Sequence, residues 1–488
     1  MNSRIHVLAL SAVAIALAAC ADESATTAPR FRSVGPRMSV VGGGGSAYVL
    51  MTSGGRFKDD IGAKIAAAGG ELRSNLSEIG VVTAVSDDPN FAAVASKISG
   101  VASVDADQVV QWVKPQPPVG EALNVEGIEA PTAAAGHVFG EDESFWNFQW
   151  NARALHAPDA WAAGQIGTGA RVAVIDGGIS VNHLDLVGRI DVARSASFVP
   201  GFTFDQDAGT ATTFRHATHV AGIIAANDNG IGTIGIAPGA TIIAVKALHN
   251  GSGNFGAIIS AIEYASTAIS EGGAGANIIN MSIGATFARE ANDGSNHLMA
   301  ALSRATSHAR QRGVLVIASA GNDTINMDHA PHVVSVPAQS VGVLSIAATG
   351  PNGFALDSTN FSRPAVYSNI GQSFVSFAAP GGADDLPGNA FCTLQRIPAN
   401  TGAISNPCWV FDMVLSPVSG TGSYNWADGT SMAAPAAAGV AALIWGKYGP
   451  MTPAQLEARL RNSATDLGKP GNDDFYGGGF LDAGAAVK

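Results

Sequence analysis

Arg171-Val172-Ala173-Val174-Ile175 is a nearly unbroken apolar run that stops at Asp176-Gly177-Gly178. A strand without polar alternation suits a parallel sheet covered on both faces. Similar runs follow at 241–245, 277–281, 314–318 and 343–347, with helical stretches between most of them. The pattern predicts an α/β domain over 144–488: a parallel sheet wrapped by helices, with ligands beyond the carboxyl ends of its strands. Asp176 and Asn322 both fall just past such ends. Residues 431–445 are apolar nearly all round, so their helix is expected to run through the core.

Upstream, residues 47–112 read as a small α+β unit in the ferredoxin-like β-α-β-β-α-β order. Strands are expected at 47–51, 71–77, 80–85 and 101–104, with helices at 59–68 and 89–98. Residues 21–46 are rich in Ser, Thr, Pro and Gly and read as a flexible tether. Residues 113–143, with Pro115, Pro117 and Pro118, read as a second linker.

Of 488 residues, 47% are hydrophobic and 14% charged, which argues against extended disorder. The formal net charge of −12 argues against a nucleic-acid partner, because a phosphate backbone needs a basic face. No apolar stretch reaches the ~20 residues of a membrane-spanning helix. The N-terminus reads as an export signal over residues 1–20: Arg4, an apolar run at 7–19, then Leu17-Ala18-Ala19-Cys20. That ending resembles the lipobox of bacterial lipoproteins, which makes Cys20 a lipidation candidate. Ordinary secretory cleavage at a small-residue site is the alternative. Export gives Cys392 and Cys408, 408 − 392 = 16 positions apart, a simple reading as a disulfide, against two buried free thiols.

Three strings carry the chemistry. They are Val174-Ile175-Asp176-Gly177-Gly178, Arg215-His216-Ala217-Thr218-His219 and Asp428-Gly429-Thr430-Ser431-Met432-Ala433-Ala434-Pro435. Together they resemble the subtilisin-like serine proteases, whose motifs run Asp, His, Ser along the chain. The resemblance covers about 144–488, and residues 47–112 are similar to the family's inhibitory prodomain. It implies a serine endopeptidase that matures by self-cleavage between 111 and 145. A serine hydroxyl attacks only if a base takes its proton, and an imidazole near its working pKa does this best. The resemblance therefore assigns Ser431 as nucleophile, His216 as general base and acid, and Asp176 as the carboxylate orienting the ring. Ser319-Ala320-Gly321-Asn322-Asp323 resembles the family's oxyanion segment, with Asn322 as the donor. His219 reads as a packed helix histidine, since no glutamate accompanies the pair as in zinc proteases.

The same resemblance implies a substrate strand lying between Gly251-Ser252-Gly253 and Ser282-Ile283-Gly284. Phe255 is expected to wall an outer subsite, and Ala320-Gly321 the primary pocket. With no acidic residue marking a basic pocket, uncharged substrate side chains are expected. Asn227-Asp228-Asn229-Gly230-Ile231-Gly232 resembles the family's calcium loop, which implies Asp185, Asn227, Asn229, Ile231 and Thr233 as ligands to a structural calcium. No cofactor is expected for the chemistry, and the chain is expected to be a monomer acting on protein or peptide substrates. Two residues depart from the family pattern: Gly177 stands where Ser or Thr is usual, and Ala217 where Gly is usual. Neither is a reacting group. A pseudoprotease that keeps only a peptide-binding groove is the competing class. An α/β-hydrolase esterase is disfavoured because Gly429-Thr430-Ser431-Met432-Ala433 lacks the second glycine of that motif.

Overall fold

The computed structural model describes residues 45–114, 119–125, 139–206, 216–289, 294–398, 401–418 and 420–488. The export signal, Cys20, nearly all of the tether and much of the second linker lie outside the described residues.

Strand β1 (Ser46–Met51), helix α1 (Ile61–Ala67), β2 (Glu71–Leu76), β3 (Val81–Ser86), α2 (Phe91–Ala95) and β4 (Ser103–Ala106) form an antiparallel sheet ordered β2-β3-β1-β4. The last strand begins two residues later than the sequence predicts. Alternation along β1 divides its side chains. Leu50 packs with Ile61, Ile65 and Phe91 inside the unit. Val49 and Met51 join the core of the larger domain.

After β5 (Val109–Gln111) comes β6 (Val119–Asn124), a strand within the stretch expected to be a linker. Helices α3 (Trp150–Ala154) and α4 (Ala157–Ala162) lead into β7 (Arg171–Asp176) and β8 (Ala196–Ser197). Next come α5 (His216–Ala225), β9 (Thr241–Lys246), β10 (Ser252–Asn254), α6 (Phe255–Ser266), β11 (Ile278–Met281) and β12 (Ala285–Ala288). Then follow α7 (Ser295–Gln311), β13 (Leu315–Ser319), β14 (Val333–Val336), β15 (Val343–Thr349) and β16 (Phe377–Pro380). The chain closes with β17 (Phe391–Gln395), β18 (Ala403–Pro407), β19 (Val414–Pro417), β20 (Ser423–Ala427), α8 (Thr430–Tyr448), α9 (Pro453–Ser463) and α10 (Ala483–Ala486).

Seven of these strands form one parallel sheet in the order β16-β15-β13-β11-β7-β9-β8. Along β7, Val172 and Val174 face the layer containing α5 and α8. Ala173 and Ile175 face the layer of α6 and α7. Both faces are therefore covered, as the apolar run at 171–175 requires. β6 is the third strand of a small sheet with β19 and β20, where Leu123 and Val125 bury against Tyr424 and Trp426. β17 and β18 make a hairpin tied by the Cys392–Cys408 disulfide.

Helix α8 is buried from Met432 to Ile444. Pro435 lies inside it and has no N–H for the carbonyl four residues back, at Ser431. That carbonyl is not left bare, because Ser282 Oγ donates to it at 2.8 Å.

The N-terminal unit sits against α6 and α7. Asp107 accepts the Gly256 N–H at the start of α6, at 3.1 Å. Asp105 meets His297 Nδ1 at the start of α7, at 3.0 Å. Arg304 donates to the Thr52 carbonyl at 2.9 Å. Carboxylates at helix N-termini complement the exposed amides and dipole there.

Candidate active site

Asp176 ends β7 and is only 1% exposed. Its Oδ1 accepts the Gly177 N–H at 2.6 Å. Its Oδ2 accepts from Nδ1 of His216, the first residue of α5, at 2.8 Å. With the proton held on Nδ1, the basic nitrogen of the ring is Nε2. Ala217 is buried beside it. His219, one turn on, lies between the Val414 and Asn425 carbonyls at 3.1 Å each, so its Nε2 carries the proton. Burial lowers the pKa of His219 to about 3 and keeps the ring neutral.

Ser431 is the second residue of α8, and its hydroxyl donates to the Ser282 carbonyl at 3.1 Å. Just before it, Gly429 has φ of 144°, a region that favours glycine. A Cβ there would lie 3.2 Å from Asn322 Nδ2 and 3.6 Å from the Ser431 nitrogen, so two donors flank one bare position. Asn322 is oriented by its other end, because Oδ1 accepts from the Thr430 N–H at 2.9 Å and the Thr430 hydroxyl at 2.8 Å. Thr430 Oγ1 in turn accepts the Gly321 N–H at 3.0 Å. Tyr367 Oη accepts the Gly429 N–H at 2.9 Å and donates to the Gly382 carbonyl at 2.7 Å. Burial raises the Tyr367 phenol well above its ordinary range, so it stays neutral. Thr430 and Tyr367 were not singled out in the sequence, although both brace the donor pair.

His216, Asn322, Thr430 and Ser431 line one cleft, together with Gly284, Gly321 and Asp323. The chain's own residues enter the same cleft. β5 pairs antiparallel with β10, setting Gln111 opposite Ser252 and Val110 opposite Gly253. The Trp112 and Val113 amides donate to the Gly251 carbonyl at 2.9 and 3.1 Å. From the other side, the Gly284 N–H donates to the Trp112 carbonyl at 3.0 Å. A Cβ on Gly251 would lie 2.3 Å from the Val113 oxygen, so only glycine admits this strand. Trp112 is 3% exposed, with ring centroids 5.1 Å from Phe255 and 6.4 Å from Phe287.

Three expectations change here. Ala320 does not line the cleft; it lies fully buried just past β13, where its N–H pairs with the Ile346 carbonyl. Ile283 is likewise buried, in the layer of α6 and α7. An acidic residue does stand at the cleft, namely Asp323. Its Oδ1 is 2.7 Å from Lys114 Nζ, and its Oδ2 accepts from Thr286 Oγ1 at 3.3 Å.

The loop expected to hold calcium is knit together by the chain's own hydrogen bonds. Asp185 Oδ2 accepts the Thr233 N–H at 2.9 Å and the Thr233 hydroxyl at 3.2 Å, and burial pushes its carboxyl up to about 7. Asn229 Oδ1 accepts the Ile231 N–H at 3.1 Å, and Asn227 Nδ2 donates to the Val187 carbonyl at 3.0 Å. The Asn229 and Gly230 amides donate to Glu143 Oε1, and the Gly232 amide to Ser144 Oγ. A hard cation needs oxygens converging on it, and in this structure the loop's amides are held by Glu143 and Ser144. Among the residues expected as ligands, the side chains of Asp185, Asn227 and Asn229 all bond to the chain itself.

A carboxylate–imidazole pair, an alcohol at a helix N-terminus and a flanking donor pair, set at the strand ends of a parallel sheet, define a serine hydrolase of the Asp-His-Ser kind. Residues 167–479 match the model of the subtilase family, and the chain belongs to that family. It is a serine endopeptidase. It is 32% identical over 342 residues to M-protease of Shouchella clausii (strain KSM-K16), covering 70% of each chain. It is 31% identical over 335 residues to subtilisin DY of Bacillus licheniformis, covering 68% of this chain and 96% of that one. Its fold is similar to an epidermin leader peptide processing serine protease from Staphylococcus aureus. There the TM-score is 0.68 at 19% identity, over 91% of this chain and 98% of the other.

Proposed function

We propose that the chain is made as an exported, self-inhibited precursor that cuts peptide bonds through an acyl-enzyme on Ser431. One observation carries this: the Asp176–His216 pair and Ser431 meet at a cleft that holds the chain's own residues 112–114. In the reaction Ser431 Oγ turns from Ser282 to His216 Nε2, gives up its proton and bonds to the substrate carbonyl carbon. The imidazolium passes that proton to the leaving amine as the C–N bond breaks. Water then repeats the sequence and frees the acyl group. Asp176 holds Nδ1–H and stabilises the imidazolium. Asn322 Nδ2 and the Ser431 N–H receive the oxyanion, and no step calls on a cofactor.

Residues 47–112 act as the inhibitory prodomain, the segment 113–143 carries the processing bond, and 144–488 is the catalytic domain. The pairing of β5 with β10 supports this, since the prodomain arm uses the edge on which a substrate strand would add. Gly251, Ser252, Gly253, Phe255, Ser282, Gly284 and Gly321 then serve the substrate. Export rests on the reading of residues 1–20 and is supported by the Cys392–Cys408 disulfide, a bond that persists in oxidising compartments. Cys20 carries a lipid that holds the precursor at the membrane. Self-cleavage releases a monomeric catalytic domain to the periplasm or extracellular space.

A serine-directed fluorescent phosphonate tests the proposal. Label is expected on Ser431, in a band of mature size. Wild-type protein that takes no label and never shortens would instead support the peptide-binding reading.

Asp323 sets the substrate class. Lys114 reaches it at the cleft, so a basic side chain is preferred on the residue before the cut bond. The pair is partly exposed and worth about 1 kcal/mol. Asp323→Asn is expected to lower kcat/KM for lysine substrates about fivefold and leave matched leucine substrates unchanged. Equal losses on both substrate series would remove Asp323 from specificity.

A further inference from the structure

We propose that the outer edge of β20, with its apolar floor, is a docking groove for the substrate chain well beyond the cut bond. It takes an extended segment with apolar side chains at alternate positions. This rests on the reading of 144–488 as the mature catalytic domain. In this structure the groove is held by β6, a part of the chain's own arm. β6 pairs antiparallel with β20: Asn124 lies opposite Ser423, Leu123 opposite Tyr424 and Val119 opposite Trp426, with a slip in register between Tyr424 and Trp426. The Val125 N–H donates to the Gly422 carbonyl at 3.0 Å. Leu123 and Val125 are 6% and 0% exposed, while Asn124 between them is exposed. That is the alternation of a strand with one face on a core.

Polarity makes this stretch a continuation of the substrate track. β20 ends at Ala427, 431 − 427 = 4 residues before Ser431. Val119, the β6 residue nearest Lys114 in sequence, lies opposite the Trp426 end of β20, and Asn124 lies opposite the Ser423 end. The arm therefore leaves Ser431 along β20 in the direction a substrate would. Val119 follows Lys114 by 119 − 114 = 5 residues, a reach of up to ~17 Å for extended chain. The floor under β6 includes Phe145, Phe148, Phe411, Tyr424 and Trp426, all within 144–488. Tyr424 meets Phe145 with ring centroids 5.0 Å apart, and Trp426 meets Phe411 at 5.9 Å. Once residues before 144 have left, the β20 edge and this floor are bared together. An open strand edge beside an apolar patch is a docking surface. Strand addition supplies backbone hydrogen bonds there, and the floor selects the side chains.

The test uses mature wild-type enzyme and two fluorogenic peptides, each with lysine before the cut bond and the same four-residue spacer after it. The short peptide stops there, and the long one continues with the sequence of residues 119–125. KM for the long peptide is expected to be about tenfold lower, with kcat changed about twofold or less, because two buried apolar side chains add binding equally to ground and transition states. A long peptide with aspartate at the positions matching Leu123 and Val125 should return to the KM of the short one. N-terminal sequencing should place the start of the mature chain beyond Val125. Equal KM for the short and long peptides, or a gain that survives the two aspartates, would overturn the groove and leave the protease reading intact. A mature chain that begins at or before Val125 would also overturn it, because β6 would then be retained in the mature domain. Enzyme that cuts neither peptide would sink both readings.

Discussion

Ser431→Ala is expected to yield a chain that folds, cuts nothing and stays uncut. Replacing a nucleophile of this kind costs about 10⁶ in turnover, because the oxyanion donors and binding groove alone give little. The substitution removes only one hydroxyl, which among the described residues donates to the Ser282 carbonyl. The Ser282 hydroxyl still reaches the Ser431 carbonyl, so the helix start is held. Immunoblots should show the precursor accumulating at full length, and, if Cys20 carries a lipid, sedimenting with membrane. Wild-type catalytic domain should appear in the soluble fraction. A variant that matures normally would mean another protease makes the cut. Mature wild-type enzyme still bound to membrane would count against release by self-cleavage.

Asp176→Asn is expected to lower kcat about 10⁴-fold while leaving the fold intact. The reason lies in its two partners. Oδ1 is held by the Gly177 N–H at 2.6 Å, so an asparagine keeps its oxygen there and turns its NH₂ toward His216. Nδ1 must then accept rather than donate, which moves the ring proton to Nε2. A protonated Nε2 cannot take the proton of Ser431. Phosphonate labelling should slow in parallel with peptide hydrolysis, whereas the melting temperature should hardly move. Peptidase activity within tenfold of wild type would mean that the Asp176–His216 bond does not set the tautomer.

The main architecture was legible because it depends on local pattern. Apolar runs at 171–175 and 241–245 become β7 and β9, and the all-round apolar stretch becomes α8. β8, only Ala196–Ser197, and β16, Phe-Ala-Ala-Pro, were missed because neither is long enough or sufficiently β-branched to announce a strand. The candidate site was legible where a residue sits inside a distinctive string, as Asp176, His216, Asn322 and Ser431 do. Partners that meet only through tertiary folding were invisible. Lys114 and Asp323 lie 209 positions apart, and Asp323 stood in the sequence only as the last residue of the oxyanion segment. The calcium loop illustrates the same limit. Its Asn, Asp and Gly content suits a cation, but composition did not show that Glu143 and Ser144 take the loop's amides.

Pro435 has a consequence beyond its place in a motif. Because it denies the Ser431 carbonyl a helical donor, that oxygen is held by a hydroxyl from outside the helix. Ser282 also gives its own carbonyl to the Ser431 hydroxyl, and two residues later Gly284 grips the bound strand. The reacting alcohol and the docking edge are thus braced against each other, so a peptide that seats badly along that edge disturbs the alignment of the attack as well as its own grip. Selectivity in such an arrangement resides partly in how fast a docked chain reacts.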